Sequence, residues 1–380
     1  MRFALLQSID QVTPAQWNAL AGKDDPFLRF EFLNALEKTA CVGKHWGWLP
    51  RHLAAFDEDG RLVGAAPMYE KHNSYGEFVF DGAWADAWER AGGCWHPKAV
   101  VAIPYTPAPG RRLLVRPGAD GQDIASGLIE RARSFSAQTG YSSLHWLFPT
   151  PADAGRLRQA GFLMRLGCQF HWRNAGYRDF EDFLAGFTAR KRKKVRRERR
   201  QVAEQGIELH TLHGHEASEE DIRLMHDFYR ITFDRKWGYA TLTKDFFRAI
   251  ARDMGEQLVC FLARRRGRPL AGAICFRSDD TLYGRHWGCY EEIPGLHFET
   301  CYYQGIEYCI RHGLRHFQPG AQGEHKISRG FLPTQTWSAH WIGDPGFRAL
   351  VARFLEQETP AMREYIAELA TRSPFRAEAA

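Results

Sequence analysis

The strongest constraint on the fold is a pattern that occurs twice. His52-Leu53-Ala54-Ala55-Phe56 leads through Asp57-Glu58-Asp59-Gly60 into Arg61-Leu62-Val63-Gly64-Ala65-Ala66-Pro67-Met68-Tyr69. Two apolar runs around a polar, Gly-containing turn predict a β-hairpin. The skeleton returns as Leu258-Val259-Cys260-Phe261-Leu262-Ala263, a basic turn ending at Gly267, then Arg268-Pro269-Leu270-Ala271-Gly272-Ala273-Ile274-Cys275-Phe276. A helix-to-strand step follows each hairpin. Ile124 to Glu130 opens a helix leading through Gly140 to the strand Ser143-Leu144-His145-Trp146-Leu147-Phe148. Gln304-Gly305-Ile306-Glu307 lies in a helix leading through Gly313 to Arg315-His316-Phe317-Gln318. Landmarks recurring in one order predict two copies of a mixed α/β unit, residues 1–174 and 175–380, joined near Trp172-Arg173-Asn174-Ala175-Gly176-Tyr177.

The second copy should open with helix. Phe180, Phe183, Leu184 and Phe187 fall at i, i+3, i+4 and i+7, one helical face, and Gly206 is the expected stop of the helix that follows. The stretch through Phe347, Leu350, Phe354 and Ile366 also reads as helix. A chain of 380 residues that is 44% hydrophobic has apolar material for two such cores. No apolar run approaches the roughly 20 residues of a membrane span, and the N-terminus turns polar too early for a signal peptide, which predicts a cytoplasmic protein. The 8 cysteines form no C-x-x-C pair and read as free thiols. His210, His213 and His215 lack the helical i, i+4 spacing of a metal pair, so no metal site is expected.

The net charge of +6 is concentrated. From Arg190 to Arg200 every residue is Lys or Arg except Val195 and Glu198. Arg190, Lys194 and Arg197 share one helical face, a row of cations suited to phosphates. Charge at that density predicts a polyanionic partner.

The second half resembles the FemAB-like N-acyltransferases of the GNAT superfamily. The resemblance rests on Phe183-Leu184, the basic run, Phe233-Asp234-Arg235-Lys236-Trp237-Gly238-Tyr239, Leu282-Tyr283-Gly284-Arg285-His286-Trp287-Gly288, the stretch from Leu296 to Tyr308, and Pro319-Gly320-Ala321-Gln322-Gly323-Glu324-His325-Lys326-Ile327-Ser328-Arg329-Gly330-Phe331. It implies tandem GNAT-like domains, each a mixed twisted sheet flanked by helices. It implies acyl or aminoacyl transfer from a phosphate-bearing co-substrate, aminoacyl-tRNA or acyl-CoA, to an amine such as that of a cell-wall precursor, with no tightly bound cofactor. The aminoacyl-tRNA donor is favoured because the basic run and the resemblance point the same way. A module that binds RNA or precursor without catalysis stays open, since fold does not fix function.

Acyl transfer to an amine needs a proton acceptor, donors for the developing oxyanion and cations for the carrier. Glu324, His325 and Lys326, with Gln322 and Gly323, place an acid, an imidazole and an ammonium in one short turn after a strand. Glu299, Tyr303 and Glu307 at i, i+4, i+8 should share a helix face that could carry proton transfer, with Phe298, Tyr302, Ile306 and Cys309 on another. Arg285, His286 and Trp287 adjoin in one strand, where alternation sends His286 to the side opposite the other two.

Overall fold

The computed structural model describes residues 1–376 except 119, 236, 237 and 322. Gln322 and the Lys236-Trp237 pair therefore lie outside the described residues. The chain forms two units: residues 1–168 with 335–365, and residues 169–334 with the C-terminal remainder. The chain thus returns to the first unit after completing most of the second. The returning strand is the reason: Ser338 to Ile342 pair antiparallel with Leu147 to Ser143.

In the first unit the expected hairpin forms from His52–Phe56 and Leu62–Ala66, flanked in a four-stranded sheet by Arg2–Leu6 and Leu114–Val115. A second group of strands runs Trp48–Pro50, Met68–Lys71, Lys98–Val101, Ser143–Leu147 and the end of Leu332–Ile342. Lys98–Val101 and Ser143–Leu147 are parallel, with the helix Gly121–Thr139 between them in sequence. That helix buries Ile124, Ala125, Leu128, Ile129 and Ala132 against Leu53, Val63 and Leu144. Each large apolar side chain so removed from water contributes about 1.5–3 kcal/mol. Gly140, at φ 74°, ends the helix in the left-handed conformation that glycine adopts without strain.

The second unit repeats the plan. Leu258–Arg265 and Arg268–Arg277 make the second hairpin, Ile207–His213 pairs outside it, and Thr281–Cys289 pairs inside it. His316–Gln318 then runs parallel to Thr281–Cys289, again after a helical crossover. The helix Glu219–Arg235 lies on Thr281–Cys289 so closely that a Cβ at Gly288 would stand 1.9 Å from the Phe228 carbonyl oxygen. Only glycine fits there.

Three local expectations change. The helix carrying Phe180, Phe183 and Leu184 ends at Ala185, so Phe187 sits beyond it, although all four side chains are buried. A second helix starts at Ala189, because the chain must turn before the basic run can leave the core. Strand alternation fails at Arg285: Ile274 faces His286 while Cys275 faces Gly284, which leaves Arg285 as the extra residue of a bulge. And the helix after that strand is not uniform. Leu296–Phe298 leads into one π-helical turn, Glu299–Tyr303, before Gln304–Arg311 resumes the α-helix. The wider turn interrupts the regular period, yet Glu299, Tyr303 and Glu307 still reach one neighbouring helix, at Arg199 and Glu198.

Candidate active site in the second unit

The parallel ladder between Thr281–Cys289 and His316–Gln318 stops at Tyr283 opposite Gln318. Pro319, with no N–H to offer, ends it. Where pairing stops, a cavity of about 90 Å³ opens, lined by Gly284, Arg285, His286 and Trp287 on one strand, Pro319 beyond the other, and His297, Cys301 and Tyr302 from the helix above. With the bulge, four consecutive strand residues border one cavity. Burial pulls the Arg285 guanidinium down to about 10, which leaves it charged at neutral pH. Burial and the Arg285 charge push His286 well below the ordinary imidazole range, so it is neutral, and its ring packs edge-on against Tyr229 at 4.6 Å.

The 3₁₀ turn Glu324–Arg329 borders this region. Gly323, at φ 114°, starts it, and a Cβ there would meet the His325 ring at 2.4 Å. The three charged side chains of the turn part company. Glu324 is exposed and accepts from Arg372 at 2.8 Å. Lys326 is 3% exposed and donates to the Gly320 carbonyl at 2.8 Å, with burial lowering it to about 8. His325 hydrogen-bonds Tyr302 through Nε2 at 2.9 Å. Burial, with help from the Lys326 and Arg329 charges, lowers the His325 imidazole and favours its neutral form.

Glu299, Tyr303 and Glu307 face the basic helix Ala189–Ala203. Arg199 donates to both oxygens of Glu299 at 2.9–3.2 Å and to both of Glu307 at 2.9–3.0 Å, and it stacks on Phe180. Tyr303 donates to Glu198. Glu198 also takes two hydrogen bonds of 3.1 Å from Arg329, whose guanidinium lies over Phe298 and donates to the His325 carbonyl at 2.8 Å. A chain of contacts therefore ties the basic helix to the turn, and the turn to the cavity wall.

The cations of the helix fall into two sets. Arg196 pairs with Glu181, Arg199 with Glu299 and Glu307, Arg200 with Glu204, and Lys194 reaches Glu198 at 3.9 Å. Among the described residues, Arg190, Lys191, Arg192, Lys193 and Arg197 make no ion pair. Four of those five occupy the first turns, where the unpaired N–H groups of the helix add to the positive potential. A second hollow, about 330 Å³, lies beside the paired half and is lined by Arg196, Arg199, Arg200, Ile207 and Leu209.

The sequence pattern did not single out His297, Cys301, Tyr302 or Arg329. Tyr302 looked like core because Phe298, Tyr302 and Ile306 repeat at helical spacing. It is indeed 3% exposed, yet it borders a cavity. Arg329 carried no signal short of the tertiary contact with Glu198.

Among the described residues no helix is long and apolar enough to cross a membrane. No curated protein matches the chain in sequence. Solved structures share its fold. FemX aligns over 92% of this chain and 99% of its own at TM-score 0.55 and 12% identity. The C-terminal domain assigned to a lysylphosphatidylglycerol synthetase from Agrobacterium fabrum aligns over 90% and 95%, at TM-score 0.54 and 10% identity. L-PGS from Bacillus licheniformis aligns over 91% and 97%, at TM-score 0.51 and 12% identity. The FemAB-like family model, described as peptidoglycan biosynthesis and recognition, matches residues 8–377. The chain belongs to that FemAB-like family and is an acyltransferase built on tandem GNAT-like units.

Proposed function

We propose that the protein transfers an aminoacyl group from aminoacyl-tRNA to an amine of a peptidoglycan precursor. The observation that carries this reading is the set of five cations, Arg190, Lys191, Arg192, Lys193 and Arg197, that make no ion pair among the described residues. Five like charges within eight residues repel one another, and an RNA backbone supplies the missing anions. The family description supports the precursor as acceptor. In this reading the free cations, with Lys194 beside them, hold the carrier. Arg285, His286 and Trp287 line the place where the acyl group reacts. Gly323 and Lys326 shape the turn that presents His325, and Glu299 and Tyr303 brace the basic helix. The carrier is a co-substrate, so no resident cofactor is required.

The test is to incubate the purified protein with labelled aminoacyl-tRNA, or with acyl-CoA, and a panel of precursor amines. Release of label from aminoacyl-tRNA into the amide is the expected result. Release from acyl-CoA alone moves the donor to a thioester whose pyrophosphate meets the same cations, and release from neither overturns the catalytic reading. A double reversal, Arg190→Glu with Arg197→Glu, should weaken tRNA binding and lower the slope of log affinity against log salt by about 2.

A further inference from the structure

The reaction proposed above has a proton to discard. At neutral pH an alkyl amine is held as ammonium, with a pKa of about 10. When its nitrogen bonds to the acyl carbon and the bond from that carbon to the carrier oxygen breaks, two protons leave the nitrogen. One goes to the carrier oxygen, which departs as a hydroxyl. The other has to reach solvent.

The cavity beside Arg285 offers few exits for it. Of the titratable groups lining it, Arg285 keeps its proton, His286 is neutral and half-buried against Tyr229, and burial raises the Cys275 thiol. Burial raises the Cys301 thiol well above its usual range. His297 packs between Trp287 at 5.2 Å and Tyr302 at 5.3 Å. Tyr302 belongs to the cavity wall and its hydroxyl is bonded, at 2.9 Å, to His325, an exposed residue. Phenol and imidazole come from different elements, the π-helical turn Glu299–Tyr303 and the 3₁₀ turn Glu324–Arg329. π turns recur at functional sites.

We infer that Tyr302 and His325 form a proton exit, in which the phenol takes the surplus amine proton from the cavity while passing its own to Nε2 of His325. This rests on the acyl-transfer reading. No net charge accumulates on the phenol, because one proton arrives as the other leaves. Burial raises the Tyr302 hydroxyl, so stepwise ionisation is disfavoured and the transfer is concerted. The imidazole faces the Lys326 and Arg329 charges and the rings of Phe298 and His297. Those cations favour rapid loss of the extra proton to water. Tyr302 is the catalytic residue of the pair, and His325 acts through it as a positioning residue.

Turnover is measured across pH 5 to 9 for the wild type, Tyr302→Phe and His325→Gln, with circular dichroism melting to confirm that both variants fold. Tyr302→Phe keeps the ring and should lower kcat by about 10²-fold with KM changed less than about twofold. His325→Gln should lower kcat about tenfold and abolish the loss of turnover at acid pH expected of the wild type. Added imidazole should restore His325→Gln, whose site opens to solvent, and leave Tyr302→Phe unchanged. Wild-type kcat and pH profile in folded Tyr302→Phe would overturn the relay alone. Absence of wild-type turnover with both donors overturns the acyl-transfer reading, and the relay falls with it.

Discussion

Arg199 joins the basic helix to the helix that carries Glu299 and Glu307. It meets two carboxylates through five hydrogen bonds, and Glu299, one of the two, is 4% exposed. Removing the guanidinium strands a buried carboxylate, which costs more than the pair itself contributes. Arg199→Ala should lower stability by about 2–3 kcal/mol, below the fully buried range because Glu307 and Arg199 retain some water. The shift in urea midpoint measures it, and a shift near zero would remove Arg199 from this role. Lys326 gives a pH signature. Its folded pKa is about 8 against an unfolded value of 10.5, because burial disfavours the charged form. Between those values the unfolded chain binds more protons, so stability rises with pH from about 8 to about 10.5 and the penalty is present in full below 8. Relative to Lys326→Met, the wild type should gain roughly 1–2 kcal/mol between pH 7.5 and pH 9.5 in urea unfolding.

At the scale of elements, two close approaches decide where side chains can act. The helix Glu219–Arg235 rests on the strand Thr281–Cys289 through Gly288, where any Cβ would collide with backbone. Gly288→Ala must push the helix off the strand, and about 3 kcal/mol of lost stability in chemical denaturation is the expected outcome. The variant should also lose turnover, since the same strand carries Arg285, His286 and Trp287. A fully stable variant would show that the helix can shift without cost. The bulge at Arg285 and the π turn at Glu299–Tyr303 share a lesson. Both add one residue to a regular period, and both stand at the cavity. The hairpins, the crossover helices and the basic helix were legible because most of each follows a regular hydrophobic or charge period between turn residues. The bulge and the π turn were not, because an extra residue leaves no mark on composition and changes only which neighbour a side chain meets.

For the molecule as a whole the formal charge is +6, and the basic helix concentrates cations within one segment. Five phosphate contacts correspond to a slope of about −4 in log affinity against log salt. Wild-type tRNA binding measured between 50 and 200 mM salt checks this, and a slope near zero would exclude a backbone-bound carrier. The sequence by itself determined that two like units exist, that each carries a hairpin and a helix leading to a strand, and that one helix holds an excess of cations. Those features depend on neighbours close along the chain, where hydrophobic period and turn chemistry act directly. The return of residues 335–365 to the first unit was decided only in three dimensions, by the pairing of Ser338 to Ile342 with Leu147 to Ser143. So was the sorting of the charged groups. Glu299 and Glu307 became the counter-charges of Arg199, Glu324 went to Arg372, and Tyr302 came to His325. Which partner a polar side chain takes depends on distances between segments far apart in sequence, and no local spacing encodes them.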